Sequence, residues 1–488
     1  MTIQDLMHSL TEKTPNTDIF SISYTCAQKD YEELCDFIMV GYNPDAIYWE
    51  IRSERRRLQH LMRIKTVLKT IDRLLKTGFE YKMRSEEIRS AEEKLIRFSM
   101  MRDFGADASA LMIGAEIPEW SDVLKGMERD FQQNLIESPA LFLRIAQQFL
   151  RTDEEEPFLS LYSYIREFIS VCPEKYLENG VFGKFMRSIF GVFAYSKRSG
   201  KTNYHDIARL SGYFATTYLY DDIIDDPMYN QTEKDLYARN VFSILESEDV
   251  TCPHYSDDPL MAFSEAAFSG IRMILDEERA RMVSRSYLAI ARATYIGSQW
   301  APSDTLTGVE LYSIATIKAA YTRIIPAILA GYTIDDVFLS FCMRAGLIYQ
   351  LTDDLRDITD DLHNLTITPF TYYYLNQTDP KIHPISLFLA AISRISDENL
   401  LAIPDARRLW IMRLTHSIRQ LTLKNKGNNT QGFLLDMKFP MNCCLKELEL
   451  IAACSDLIVD IEAEAAKAFS DCAVMLRCGC SNASVYGH

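Results

Sequence analysis

The chain has 488 residues, 48% of them hydrophobic, enough to fill the core of one large domain or two medium ones. Its formal net charge of -16 argues against a nucleic-acid-binding surface and against attraction to anionic membranes. The opening MTIQDLMHSL lacks a signal-peptide core, no apolar run reaches the roughly 18 residues of a membrane helix, and the cysteines include no CxxC pair. A soluble protein of the reducing cytoplasm, without structural zinc, is therefore expected.

Apolar residues recur at i, i+3, i+4 and i+7 along most of the chain and alternating Val/Ile/Thr runs are few, so the predicted fold is all-α. Residues 46–76 read as one amphipathic helix stopped by Gly78. It carries Arg55, Arg56 and Arg57 at mid-length and Lys65, Lys69, Arg73 and Lys76 toward its end, a pattern that suits a solvated face. The breaker cluster Arg151-Thr-Asp-Glu-Glu-Glu-Pro157 sets off an N-terminal helical region, residues 1–155, from a second region, residues 156–476. Helices are predicted there near 158–170, 181–197, 203–226, 232–247, 258–276, 277–297, 308–331, 333–360, 384–397, 404–424 and 446–475. Residues 477–488, with Cys478 and Cys480, read as a flexible tail.

Two of these helices end in carboxylates. Gly212-Tyr-Phe-Ala-Thr-Thr-Tyr-Leu-Tyr220 runs into Asp221-Asp222-Ile-Ile-Asp225-Asp226, and Ala345-Gly-Leu-Ile-Tyr-Gln350-Leu-Thr runs into Asp353-Asp354-Leu-Arg-Asp357. On a helix Asp221 and Asp225 share a face, as do Asp353 and Asp357, and each such like-charge pair costs about 0.2–0.5 kcal/mol in an isolated helix. A chain that does this twice calls for a compensating cation, and Mg²⁺ is the hard, oxygen-seeking candidate. Two apolar helices side by side, each with a carboxylate mouth, would suit a ligand with a diphosphate head and a greasy tail. Asp257-Asp258, Asp335-Asp336 and Asp360-Asp361 read instead as surface acids.

At these residues the chain resembles the trans-isoprenyl diphosphate synthases. The family's two aspartate-rich motifs are similar to Asp221 to Asp226 and to Tyr349-Gln350-Leu-Thr-Asp353-Asp354-Leu-Arg-Asp357-Ile-Thr-Asp-Asp361. Gly183-Lys184-Phe-Met-Arg187 is similar to the family's Gly-Lys-x-x-Arg, and Lys318 matches its lysine on the allylic diphosphate, although Ala319 stands where Thr usually follows. The resemblance covers roughly residues 158–475 and implies an isoprenoid synthase-type helical bundle around a central cavity. It also implies Mg²⁺, three ions, held by Asp221, Asp222 and Asp225 from one wall and by Asp353, Asp354 and Asp357 from the other. Lys318 and Gln350 would face the allylic diphosphate, and Lys184 and Arg187 would hold isopentenyl diphosphate. In the family, bulk just before the first motif limits product length. Thr216 and Thr217 leave room at those places and Tyr213 lies about two turns below Asp221, which implies a pocket for about fifteen to twenty carbons. A homodimer is the expected assembly.

The departures concern cations. The family's Arg-Arg pair after the first motif is replaced by Asn230 and Gln231, and the lysine after the second is missing from Asn364-Leu-Thr-Ile-Thr-Pro369. Each loss removes a charge-assisted contact of about 1.5–3 kcal/mol. Lys197, Arg198, Lys201, Lys234, Arg323 and the basic N-terminal helix offer replacements. Prenyl transfer to isopentenyl diphosphate is the reaction the motifs favour. The missing arginines favour the alternative, a terpene cyclase that ionises one prenyl diphosphate. A third reading is a catalytically silent subunit that regulates an active partner.

Overall fold

A computed structural model describes residues 19–41, 143, 146–147, 150, 152–178, 181–200, 203–247, 256–376 and 384–398. The predicted helices at 46–76, 404–424 and 446–475, the basic residues Lys65 to Lys76, and the cysteine-bearing tail lie outside them.

The described residues are helical with no strand, so the fold is all-α. In chain order the helices are α1 (Ile19–Gly41), α2 (Glu156–Val171), α3 (Glu174–Glu178), α4 (Val181–Ser199), α5 (Tyr204–Thr217), α6 (Leu219–Asp225) and α7 (Gln231–Glu246). They continue with α8 (Pro259–Ile274), α9 (Glu277–Ser298), α10 (Gly308–Leu329), α11 (Asp336–Asn364), α12 (Pro369–Asn376) and α13 (Pro384–Glu398). Among the described residues, no helix is long and apolar enough to cross a membrane.

The chain divides into two compact units: Met1–Trp49 with Thr216–Ser455, and Glu50–Ala215 with Asp456–His488. The break falls near the end of α5, and α1 belongs with the helices that carry both aspartate clusters.

In that first unit α10 is the central element: α11, α9 and α1 all pack along it. It is buried nearly all round, from Leu311 to Leu329, as expected of a helix with apolar residues on every face. Gly346 sets the approach of α11, because a Cβ there would stand 2.8 Å from the backbone nitrogen of Ala320 and 2.8 Å from the carbonyl oxygen of Thr316. Only a residue without a side chain lets the two backbones meet so closely. α1 lies against α9, α10 and α13. Tyr31 stacks on Tyr312 with ring centroids 5.0 Å apart, the Ser23 and Tyr321 hydroxyls are hydrogen-bonded, and Arg394 donates to Glu33.

Helix starts explain several acids. Asp258 accepts from the Leu260 and Met261 amides at 3.0 and 2.9 Å, and Asp335 from Phe338 at 2.7 Å, so both are N-caps of α8 and α11. Thr307 and Glu310 form a reciprocal capping box on α10. α11 ends at Leu365, whose left-handed φ of 58° lets Thr366 N–H reach Asp361 O at 2.8 Å.

In the second unit α2 and α5 meet through rings and a close backbone. Tyr164 packs edge-on against Tyr213 with centroids 5.4 Å apart, beside Gly212, and Phe158 meets Phe193 of α4 edge-on at 6.0 Å.

Candidate functional site

The first aspartate cluster occupies α6, a seven-residue helix separated from α5 by a break at Tyr218. The predicted single helix over 203–226 is therefore two pieces. Anchors on both sides of the break hold α6 in place: Tyr218 Oη donates to Thr322 O at 3.5 Å, and Tyr220 Oη to Ala291 O at 3.1 Å. Ile223 and Ile224 point into the core, which leaves Asp221 and Asp222 partly exposed and Asp225 exposed. Asp226 is buried and accepts from Met228 N–H at 2.8 Å, so it closes the turn after the helix.

Asp221 is held from two other helices. Its Oδ1 lies 3.2 Å from Lys318 Nζ and accepts from Thr294 Oγ1 at 3.2 Å. Lys318 projects from the middle of α10 and Thr294 from α9, so two helices converge on one carboxylate oxygen. Burial works against the charge of Lys318, yet the Asp221 and Asp225 carboxylates outweigh it and hold the ammonium above its ordinary range. Asp354 contributes in the same direction, so Lys318 feels both clusters.

The second cluster lies past the middle of α11. Asp354 is buried; its Oδ1 accepts from Gln350 Nε2 at 2.8 Å, and its Oδ2 has no hydrogen-bond donor among the described residues. Burial pushes its carboxyl up to about 7, against the Gln350 bond and Lys318, while the Asp353 and Asp357 charges add to the rise. Asp353 and Asp357 share a different cation. Arg356 Nη2 donates to Asp353 Oδ1 and, at 2.7 Å, to Asp357 Oδ2, and Nε donates to Asp357 Oδ1 at 3.3 Å. The charge of Asp353 dominates, and with Asp357 it holds the guanidinium firmly charged despite burial.

Asp361 belongs to this group too. Burial first, then the charges of Asp354, Asp357 and Asp353, push it up to about 8. Asp361 is half-buried and continues the i,i+4 series Asp353, Asp357, Asp361 along α11. Thr294 and Arg356 also escaped sequence reading. A threonine on a buried helix has no signature, whereas Arg356 sits inside the acidic motif and its i+3 spacing from Asp353 was available.

The other expected residues are placed as follows. Thr216 is fully enclosed, and Thr217 donates its hydroxyl to Tyr287 Oη at 2.9 Å. Tyr213 is half-buried against Tyr164. Lys184 and Arg187 lie on α4, in the other unit, Lys184 partly buried. Of the substitute cations, Arg323 lies 3.2 Å over the Tyr349 ring and donates to Ala319 O at 2.6 Å, and Lys234 is partly exposed on α7. Asn230 and Gln231 have local work. Asn230 caps α7 in a reciprocal box with Glu233, and Gln231 donates to Asp235 at 2.7 Å.

Among the described residues, no three His, Cys, Asp or Glu side chains form a ready-made metal site. The donor chemistry nonetheless fits a hard divalent ion. The candidates are all carboxylates, one buried oxygen of Asp354 lacks a donor, and Asp353 and Asp357 already close around a cation. Compared with protein-family models, curated proteins and solved structures, the chain has no match.

Proposed function

We propose that the protein is a Mg²⁺-dependent class I isoprenoid enzyme that ionises an allylic prenyl diphosphate and joins it to isopentenyl diphosphate. The observation that carries this reading is Lys318, one ammonium 3.2 Å from Asp221 and within the field of Asp354. A site that handles a diphosphate needs a cation donor between its metal-binding walls, and Lys318 has that character.

Asp221, Asp222 and Asp225 on α6 and Asp353, Asp354 and Asp357 on α11 would hold the metal. Bound there, Mg²⁺ would neutralise the diphosphate and stabilise the charge that develops as the C–O bond breaks. Lys318 would exchange Asp221 for a diphosphate oxygen, donating a charge-assisted hydrogen bond to the leaving group. Thr294 orients Asp221 and Gln350 orients Asp354, so each wall presents one carboxylate in a fixed direction. In this reading Thr216 and Thr217 line the chain-length pocket, and the enzyme is a cytoplasmic homodimer.

Cyclisation of one prenyl diphosphate is the second reading. It is favoured by the start of α7, where Asn230 and Gln231 are committed to capping and to Asp235 and supply no cation.

The deciding experiment supplies Mg²⁺ with geranyl, farnesyl or geranylgeranyl diphosphate, each with and without isopentenyl diphosphate, and identifies products by mass spectrometry. Longer diphosphates that need the second substrate are the expected result. Hydrocarbon from one substrate alone establishes the cyclase, and no diphosphate release from any mixture overturns both readings.

A further inference from the structure

The second cluster carries its own counter-ion. Arg356 is three residues after Asp353 and next to Asp357, and its Nη2 donates to both carboxylates while Nε takes the second oxygen of Asp357. Three of the four oxygens of this pair are thereby engaged by one guanidinium. A divalent ion would approach the same oxygens against the positive charge of the guanidinium, so Arg356 and the metal compete there. The first cluster differs, because its cation, Lys318, comes from another helix and is 3.2 Å from one oxygen of Asp221. Arg356 is also placed to leave. Its side chain is 31% exposed, and it sits on a flexible stem beside Asp353, itself 54% exposed.

We propose that Arg356 is a displaceable internal counter-ion that occupies the Asp353–Asp357 pair in the resting protein and yields it to metal when a diphosphate is present. The exchange balances. Metal takes the two carboxylates, and the released guanidinium gains the diphosphate oxygens, which accept its planar fork in a bidentate pair. Metal without diphosphate would set the guanidinium against a divalent cation, and a diphosphate would relieve that repulsion. Metal and diphosphate therefore bind cooperatively, each tightening the other by the same factor. Arg356 thus does part of what the lysine missing after the second motif would do. This role rests on the metal–diphosphate reading of the site and adds the order in which its parts assemble.

The test is Mn²⁺ binding to the full-length, metal-free protein, by calorimetry or electron paramagnetic resonance, with and without inorganic diphosphate. Wild type is expected to bind Mn²⁺ weakly alone and more tightly with diphosphate. Arg356→Gln should bind Mn²⁺ alone about tenfold more tightly than wild type and lose most of the gain from diphosphate. Arg356→Lys, which keeps the charge without the fork, should fall between. In chelator, Arg356→Gln should melt at a lower temperature than wild type, because the guanidinium contacts that offset the Asp353–Asp357 repulsion are lost. Mn²⁺ affinity that is unchanged or weaker in Arg356→Gln, or a melting temperature in chelator that does not fall, overturns the counter-ion role. An Asp353→Asn/Asp357→Asn variant separates this from failure of the underlying reading: if it binds Mn²⁺ as wild type does, the pair is not a metal site at all.

Discussion

The two aspartate clusters are near copies in sequence and differ in how their charge is managed. The first rides on α6, a seven-residue helix, and its key acid is met by side chains from α9 and α10. The second lies past the middle of a 29-residue helix, with Gln350 and Arg356 of that same helix among its partners. The first cluster is therefore a product of tertiary packing, and the second of helical register. Equal spacing in a sequence does not mean equal environments, and each cluster should respond to a different perturbation.

The largest expected effect is common to both. Asp221→Ala or Asp353→Ala should abolish Mg²⁺-dependent diphosphate release, a loss of about a thousandfold or more. If one variant retains near-wild-type release and the other does not, only one cluster takes part. If both retain it, the metal assignment fails.

Next in size is a pH effect specific to the second cluster. Asp354 is held at about 7 when folded, against an unfolded value near 3.8, and Asp361 is held at about 8. Between those limits the folded chain binds more protons than the unfolded chain, so metal-free stability is greatest below about pH 4 on this account and falls as pH rises through about 7 to 8. Urea titrations in chelator across that window should show the decline. Asp354→Asn, which can still receive the Gln350 hydrogen bond through its amide oxygen, should remove much of the slope. A slope unchanged in that variant would assign the pH dependence elsewhere.

The smallest effect belongs to the first cluster. Thr294→Val deletes one hydrogen bond to Asp221 and should cost about 0.5–1.5 kcal/mol in stability with a severalfold loss of diphosphate release. Equal sensitivity to any change on α11 would blur the distinction between packing and register.

Much of the architecture was legible because helical periodicity is strong where helices are amphipathic or uniformly apolar. The predicted 181–197, 277–297, 308–331 and 384–397 lie within about two residues of Val181–Ser199, Glu277–Ser298, Gly308–Leu329 and Pro384–Glu398. The break at Tyr218 was not legible, because its backbone keeps right-handed helical angles and no Gly or Pro marks it. α12 escaped because eight residues, Pro369–Asn376, are too few to establish a period. Within the site, the acids and Lys318 were visible as residue types at helical spacing. What joins them was not, since Thr294 reaches Asp221 across 73 residues and α1 packs against helices hundreds of residues later. Asn230 has a local role as the cap of α7, which its place before Gln-Thr-Glu233 made legible.

The seating of α1 has a consequence for how the molecule is made. Ser23 meets Tyr321 across 298 residues and Glu33 meets Arg394 across 361. During synthesis α1 emerges long before either partner exists, so its buried face, with Phe20, Ala27 and Leu34, has no native cover until α9 and α10 have left the ribosome and no complete cover until α13 follows. Closing so long a loop costs entropy, and α1 must wait for partners made hundreds of residues later.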